Sequence, residues 1–352
     1  MTRTKIEWAT DTWNPVTGCT KVSEGCRNCY AERQVQRFGT RVHGLHKSPK
    51  FKEDVDRICA PPKFTHVICH PDKLDHPEHW RKRRRVFVCS MSDLFHGGVP
   101  DEFLHLVFDA MARATAHDFL VLTKRPERMR DFVVAANRPL GGGAGWSFGG
   151  PFPLPNVWLG VSVENQATAD ERIPLLLQTP AAVRFVSCEP MLGPIDLTNV
   201  GSATRTSSRL ALNALTGHLE RPCYDRSQRI DTGKGSTSLD WVICGGESGP
   251  SARPMHPDWA RLLRDQCQAA GVPFFFKQWG EWAPSYDRDR DDPDWRNVPA
   301  ESSRRKLLNV AGGCGFHGER VVGFLRVGKK AAGRELDGRT HDEVPGGAPD
   351  AG

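Results

Sequence analysis

Residues 85–96 read RVFVCSMSDLFH. A short apolar run, too brief for a helix, gives way at once to Ser92 and Asp93, the pattern of a buried strand that ends in a chemically equipped loop. The same order of residue types recurs along the chain. Residues 13–18 (WNPVTG) lead into a cysteine-bearing loop, and 65–69 lead into His70, Pro71 and Asp72. Residues 117–123 (HDFLVLT) lead into Lys124 and Arg125, and 157–163 (VWLGVSV) into Glu164 and Asn165. Residues 183–188 (VRFVSC) precede Glu189, 239–244 (LDWVIC) precede Gly245, Gly246, Glu247 and Ser248, and 273–276 (PFFF) precede Lys277 and Trp279. That makes eight expected strands.

Helical patterns fall between most of these runs, for example residues 101–116 (DEFLHLVFDAMARATA) after Pro100, and 256–270 (HPDWARLLRDQCQAA) closed by Gly271. Alternating β and α with near-continuous apolar strands predicts an α/β protein with a parallel sheet: a (βα)8 or slightly incomplete TIM-like barrel over residues 1–283. In such a barrel the strands' C-terminal ends share one face, so the polar residues at those ends are candidates for a common site. Residues 140–155 and 199–238 interrupt the repeat and are expected as loop insertions. Residues 284–343 are expected as an appendage containing a hairpin, and 344–352 (VPGGAPDAG) as a disordered tail.

Eleven cysteines, an odd number in 352 residues, argue against a disulfide framework. Cys69, Cys89, Cys188 and Cys244 lie in apolar runs and read as small buried hydrophobes. The net charge of +6 permits a nucleic-acid partner without requiring one. No apolar run is long enough to span a bilayer and the N-terminal residues lack a signal-peptide core, so a soluble, cytoplasmic protein without a membrane partner is expected.

Cys19, Cys26 and Cys29 stand apart. They form C-x6-C-x2-C in GCTKVSEGCRNCYAE, residues 18–32, among small and polar residues and closed by Tyr30. This spacing suits ligands rather than packing, because it follows neither a strand nor a helix period. Three thiolates on one loop can hold an iron–sulfur cluster with a coordination position left open. A structural zinc is the alternative and wants a fourth ligand; the next histidine and cysteine are His43 and Cys59. The run RKRRR, residues 81–85, precedes a strand and reads as a solvated basic turn rather than a nucleic-acid patch. Arg205 and Arg209 with Lys277, Trp279 and Trp282 are the groups placed to meet a polynucleotide, although the two indoles would equally seal the barrel end.

The segments CTKVSEGCRNCYAE, MSDLFH, LTKRPERM, GVSVENQ, VSCEPMLGP, CGGESG, FFKQWG and AGRELDGR resemble a phage- and prophage-borne family of radical SAM-like proteins, over nearly the whole chain. The resemblance implies a [4Fe–4S] cluster on Cys19, Cys26 and Cys29 and S-adenosyl-L-methionine at its open iron. Tyr30, Asp93, Gly245, Gly246 and Glu247 are then candidates for cofactor contacts, with Asp93 set either to hydrogen-bond a ribose or to cap the turn before Leu94. Lys124, Glu164, Glu189 and Lys277 are the catalytic candidates, able with Arg125 to hold a zwitterionic amino-acid group.

The phage association implies DNA with modified bases as substrate, an amino-acid-modified thymidine that is isomerised, and an electron donor such as flavodoxin or ferredoxin. A lyase acting on a DNA lesion and a non-catalytic, zinc- or cluster-bearing nucleic-acid-binding protein are the alternatives. The sequence departs from the common superfamily pattern in two places. The first cysteine gap is six residues rather than three, and the glycine-rich string follows the seventh expected strand instead of the second.

Overall fold

The computed structural model describes residues 4, 6–38, 63–136, 153–201, 211–222, 229–234, 237–288, 300–314 and 320–346. Most of the 140–155 loop, part of the 199–238 insertion including Arg205 and Arg209, and most of the expected tail lie outside these residues, as do His43 and Cys59. The chain divides into two compact units, residues 1–160 with 179–182, and residues 161–178 with 183–352.

In the first unit, β1 (Asp11–Trp13) pairs in parallel with β4 (Arg85–Val88), setting Asp11 opposite Val86 and Trp13 opposite Val88. Strand β4 pairs in parallel with β5 (Asp118–Thr123). Helices α2 (Asp101–Arg113) and α3 (Pro126–Ala136) turn apolar stripes inward, Phe103, Leu104, Val107 and Phe108 on one and Met129, Phe132 and Val133 on the other. Phe95, Phe108 and Phe132 meet with ring centroids 5.3–6.3 Å apart, a separation at which tilted aromatic pairs attract. All six residues of β6 (Val157–Ser162) are buried, as expected of a parallel strand covered on both faces.

The second unit contains α4 (Gln166–Gln178), β7 (Val183–Cys188), β11 (Trp241–Gly245), α5 (Pro257–Ala270) and β12 (Phe274–Gln278). Strand β11 pairs in parallel with both β7 and β12. Helix α5 ends at Gly271, whose left-handed φ of 68° lets the chain turn off while its N–H caps the helix. Part of the expected insertion forms a three-stranded antiparallel sheet from β8 (Ala211–Asn213), β9 (His218–Pro222) and β10 (Arg229–Lys234). The expected C-terminal hairpin is instead a three-stranded sheet in which β15 (Val321–Arg326) lies between β13 (Trp282–Arg288) and β14 (Arg305–Asn309).

The main sheet has seven strands, in the order β1-β4-β5-β6-β7-β11-β12, rather than the eight of a full barrel. The fold is mixed α/β with a seven-stranded parallel sheet, consistent with a partial TIM-like arrangement. The missing strand is the expected second one. Within residues 65–69 only β3 (Ile68–Cys69) is extended, and it pairs antiparallel with β2 (Val16–Thr17), outside the main sheet. Two prolines explain the change. Pro15 ends β1 early, since it lacks an N–H and constrains the residue before it, and its carbonyl accepts a bond from His70 N. Pro71 then stops β3, and only short 3-10 turns at Pro71–Lys73 and His76–His79 follow.

The string LDGR, residues 336–339, is a tight turn. Leu336 and Arg339 exchange backbone hydrogen bonds, and Asp337 and Gly338 both have left-handed φ, the Asp-Gly chemistry of a type I′ turn. The Asp337 carboxylate bridges Arg261 and Arg264 on α5, which draw it down to about 2. Just beyond, His341 O accepts from Phe276 N, so the C-terminal segment covers one edge of β12.

Candidate metal centre

The cysteine loop leaves β2 through Gly18, which has φ +89° and lies so close to His66 that a Cβ there would be 1.9 Å from its carbonyl oxygen. Only glycine fits such an approach. Gly18 N donates to Met91 O and Cys19 N to Phe64 O, so the first cysteine is anchored by backbone on both sides. Cys26 closes a 3-10 turn (Glu24–Cys26), with its N–H donating to Ser23 O. Cys29 immediately precedes α1 (Tyr30–Phe38), and the backbone N–H groups of Ala31 and Glu32 are directed at its sulfur. Burial raises the Cys29 thiol, and those two N–H groups oppose the rise. Cys19 and Cys29 pack on one small apolar cluster of Ala31, Val35 and Phe64.

Behind Cys19 lies a polar network built from three loops. The Asp93 carboxylate accepts from Phe95 N (3.0 Å), the Thr123 hydroxyl (2.7 Å), Lys124 N (3.0 Å) and Arg125 Nη1 (2.9 Å). Asp93 thus caps its own turn and also ties the β4 loop to the β5 loop. Arg125 reaches across to the cysteine loop, donating to Cys19 Sγ at 3.6 Å, Thr20 O at 3.0 Å and Thr20 Oγ1 at 3.1 Å. Burial pushes the Cys19 thiol up to about 11; the Asp93 charge adds to this and Arg125 opposes it.

His96 completes the set. Its Nδ1 accepts from Gly98 N at 2.9 Å, which assigns the proton to Nε2 and makes that nitrogen the donor to Thr20 Oγ1 at 2.9 Å. Burial lowers the His96 pKa, in keeping with a neutral ring. Thr20 and His96 were not singled out from sequence, although Thr20 adjoins Cys19 and His96 closes the MSDLFH segment. Tyr30 is 58% exposed at the start of α1.

The second unit pairs its strand-end carboxylates with cations of its own. Glu189 Oε1 accepts from Lys277 Nζ at 2.5 Å beside Gly245. Glu164 and Arg172 form an ion pair at 3.2 Å in which both side chains are almost fully buried, and Arg172 also donates to Ser162 O at 2.7 Å. Glu247 holds Arg253 through both carboxylate oxygens, at 2.7 and 2.9 Å. Gly246 has a packing reason to be glycine, because a Cβ there would lie 1.9 Å from Trp279 O. Trp279 and Trp282 are buried and donate their indole N–H groups to Glu335 O and Ala252 O, which is the sealing role rather than the stacking one. The basic run is more than a solvated turn: Arg83 pairs with Asp118, Arg84 with Asp11, and Arg85 is buried against the Trp158 ring.

Cys89, Cys188 and Cys244 are buried as expected, whereas Cys69 is half-buried. None of the nine described cysteines is in a disulfide. Among the described residues, no three of His, Cys, Asp and Glu converge as the ligands of one metal ion do. The donor set on the loop is three free thiols, with backbone N–H groups aimed at one sulfur and a guanidinium at another. Such donors stabilise thiolate ligands, so the residues present fit an iron–sulfur group. Among the described residues no helix is long and apolar enough to cross a membrane.

The arrangement defines an α/β protein with a cysteine-bearing loop at the end of a short strand. A family model described as "Protein of unknown function (DUF5131)" matches residues 3–345, and the chain belongs to that family. Neither the search of curated proteins nor that of solved structures gave a match.

Proposed function

We propose that the chain is a radical SAM enzyme in which Cys19, Cys26 and Cys29 hold a [4Fe–4S] cluster and S-adenosyl-L-methionine binds at the open iron. The observation that carries this reading is the loop itself: three cysteines free of disulfides, with Cys19 and Cys29 on one apolar cluster. When bound, the cluster and S-adenosyl-L-methionine would supply a 5′-deoxyadenosyl radical able to abstract hydrogen from a substrate. The chain's residues provide the setting. Gly18 fixes the loop's entry, the first turn of α1 directs N–H groups at Cys29, and the apolar cluster shields Cys19 and Cys29 from water. The sequence resemblance supports an isomerase acting on an amino-acid-modified thymidine in DNA, with electrons from a flavodoxin- or ferredoxin-type donor.

Anaerobic reconstitution with iron and sulfide should give a brown protein that releases 5′-deoxyadenosine from S-adenosyl-L-methionine with dithionite. Alanine at Cys19, Cys26 or Cys29 should abolish both colour and product, while alanine at exposed Cys314 should change neither. A colourless protein that retains zinc would overturn the reading. Mass spectrometry of treated DNA nucleosides then tests the substrate. An altered amino-acid-modified thymidine supports the isomerase, and turnover of irradiated, unmodified DNA would replace it with a lesion lyase.

A further inference from the structure

Arg125 stands where a substrate-binding arginine is expected, at the end of β5 beside Lys124, yet its guanidinium faces the cysteine loop. The side chain is only 16% exposed. Nη1 contacts Cys19 Sγ and Asp93, and Nη2 contacts the Thr20 carbonyl and hydroxyl. Three of these four bonds end on the Cys19–Thr20 pair, at the start of the six-residue gap that makes the loop unusual. A planar fork held in this way cannot turn to a substrate carboxylate without breaking them. The guanidinium hydrogen-bonds one sulfur, that of Cys19, whereas Cys29 receives backbone N–H groups and feels the Lys21 ammonium, itself paired with Glu32.

We propose that Arg125 is a positioning residue that fixes the Cys19 sulfur and raises the reduction potential of the iron–sulfur group bound there, with the Asp93 carboxylate opposing it. This rests on the cluster reading above. Reduction adds negative charge to the group, and a guanidinium hydrogen-bonded to a ligand sulfur stabilises the reduced form more than the oxidised one. Asp93, paired with the same Nη1 at 2.9 Å, partly cancels that field. The two residues should therefore act on the potential with opposite signs, which a purely structural role would not produce.

The test is an EPR-monitored redox titration of the reconstituted wild type, Arg125→Gln, Arg125→Lys and Asp93→Asn, with iron and sulfide content measured for each. The expected order of midpoint potentials is Asp93→Asn highest, then wild type, Arg125→Lys and Arg125→Gln. Asparagine retains an oxygen for Phe95 N and Thr123, and removes the charge together with the acceptor that Lys124 N and Arg125 Nη1 share. If Arg125→Gln loses its iron, the order of the other three decides. Equal midpoints, or Asp93→Asn shifting downward, would overturn this role while leaving the cluster intact. A wild type that binds no cluster would overturn the function itself.

Discussion

The cysteine loop of the first unit and the strand ends of the second are both places where an apolar strand gives way to charged or polar residues, and they use those residues differently. In the second unit Glu164 meets Arg172, Glu189 meets Lys277 and Glu247 meets Arg253, each carboxylate bound to a cation of the same unit. In the first unit the loop's own cations pair with its own carboxylates, Lys21 with Glu32 and Arg27 with Glu24, while the Asp93–Arg125 pair directs its guanidinium at the sulfur of Cys19. A polar residue after a strand is therefore weak evidence for catalysis on its own. What separates the two regions is whether the chemistry is already satisfied by neighbouring side chains.

Removing one partner of the Glu164–Arg172 pair should have the largest effect on stability. Glu164→Gln leaves a guanidinium buried without a counter-charge, which costs roughly 3–5 kcal/mol in urea denaturation. Replacing both residues together with Leu and Met should recover most of that loss. A Glu164→Gln protein of normal stability but without turnover would break the comparison, because it would move Glu164 to the reactive side.

Acid should have a smaller effect, spread over both units. His96, His105 and His117 in the first and His256 and His341 in the second all have lowered pKa values, in each case chiefly through burial. The unfolded chain binds protons to these rings more readily than the folded one. Their contribution is therefore complete above the ordinary histidine value of about 6.5 and is lost as pH falls below it. The melting temperature should drop between about pH 7 and pH 5, and hydrogen exchange should accelerate in both units. Faster exchange in one unit alone would contradict the shared cause.

The smallest expected change sharpens the reading of the loop. Tyr30 is 58% exposed, and Tyr30→Ala should shift stability by less than about 0.5 kcal/mol. A loss of 5′-deoxyadenosine formation at unchanged stability and iron content would then place Tyr30 in contact with a cofactor or substrate.

Much of the α/β order was legible because local patterns carry it. The runs over residues 85–90, 117–123, 157–163 and 183–188 are strands, and the helix over 256–270 starts at a proline and stops at Gly271 as its capping residues dictate. The cysteine loop stood out because thiols at that spacing have no packing explanation. The second expected strand does not join the main sheet. Residues 65–69 alternate like a strand, but Pro71 follows, and Ile68–Cys69 pair with Val16–Thr17 instead. Partner choice of this kind is not written into a five-residue pattern.

By itself the sequence determined most of the apolar strands, the start of the helix at Asp101 and both ends of the one that closes at Gly271, and that Cys19, Cys26 and Cys29 form one loop. Only the tertiary structure decided which charges neutralise one another. Arg125 is 106 residues from Cys19, and Glu189 is 88 from Lys277. Pairings over such separations depend on which strand ends become neighbours, and that is set by the register and order of the sheet. Local propensity carries no record of that order, so the direction in which Arg125 points emerged only once β4 and β5 lay side by side.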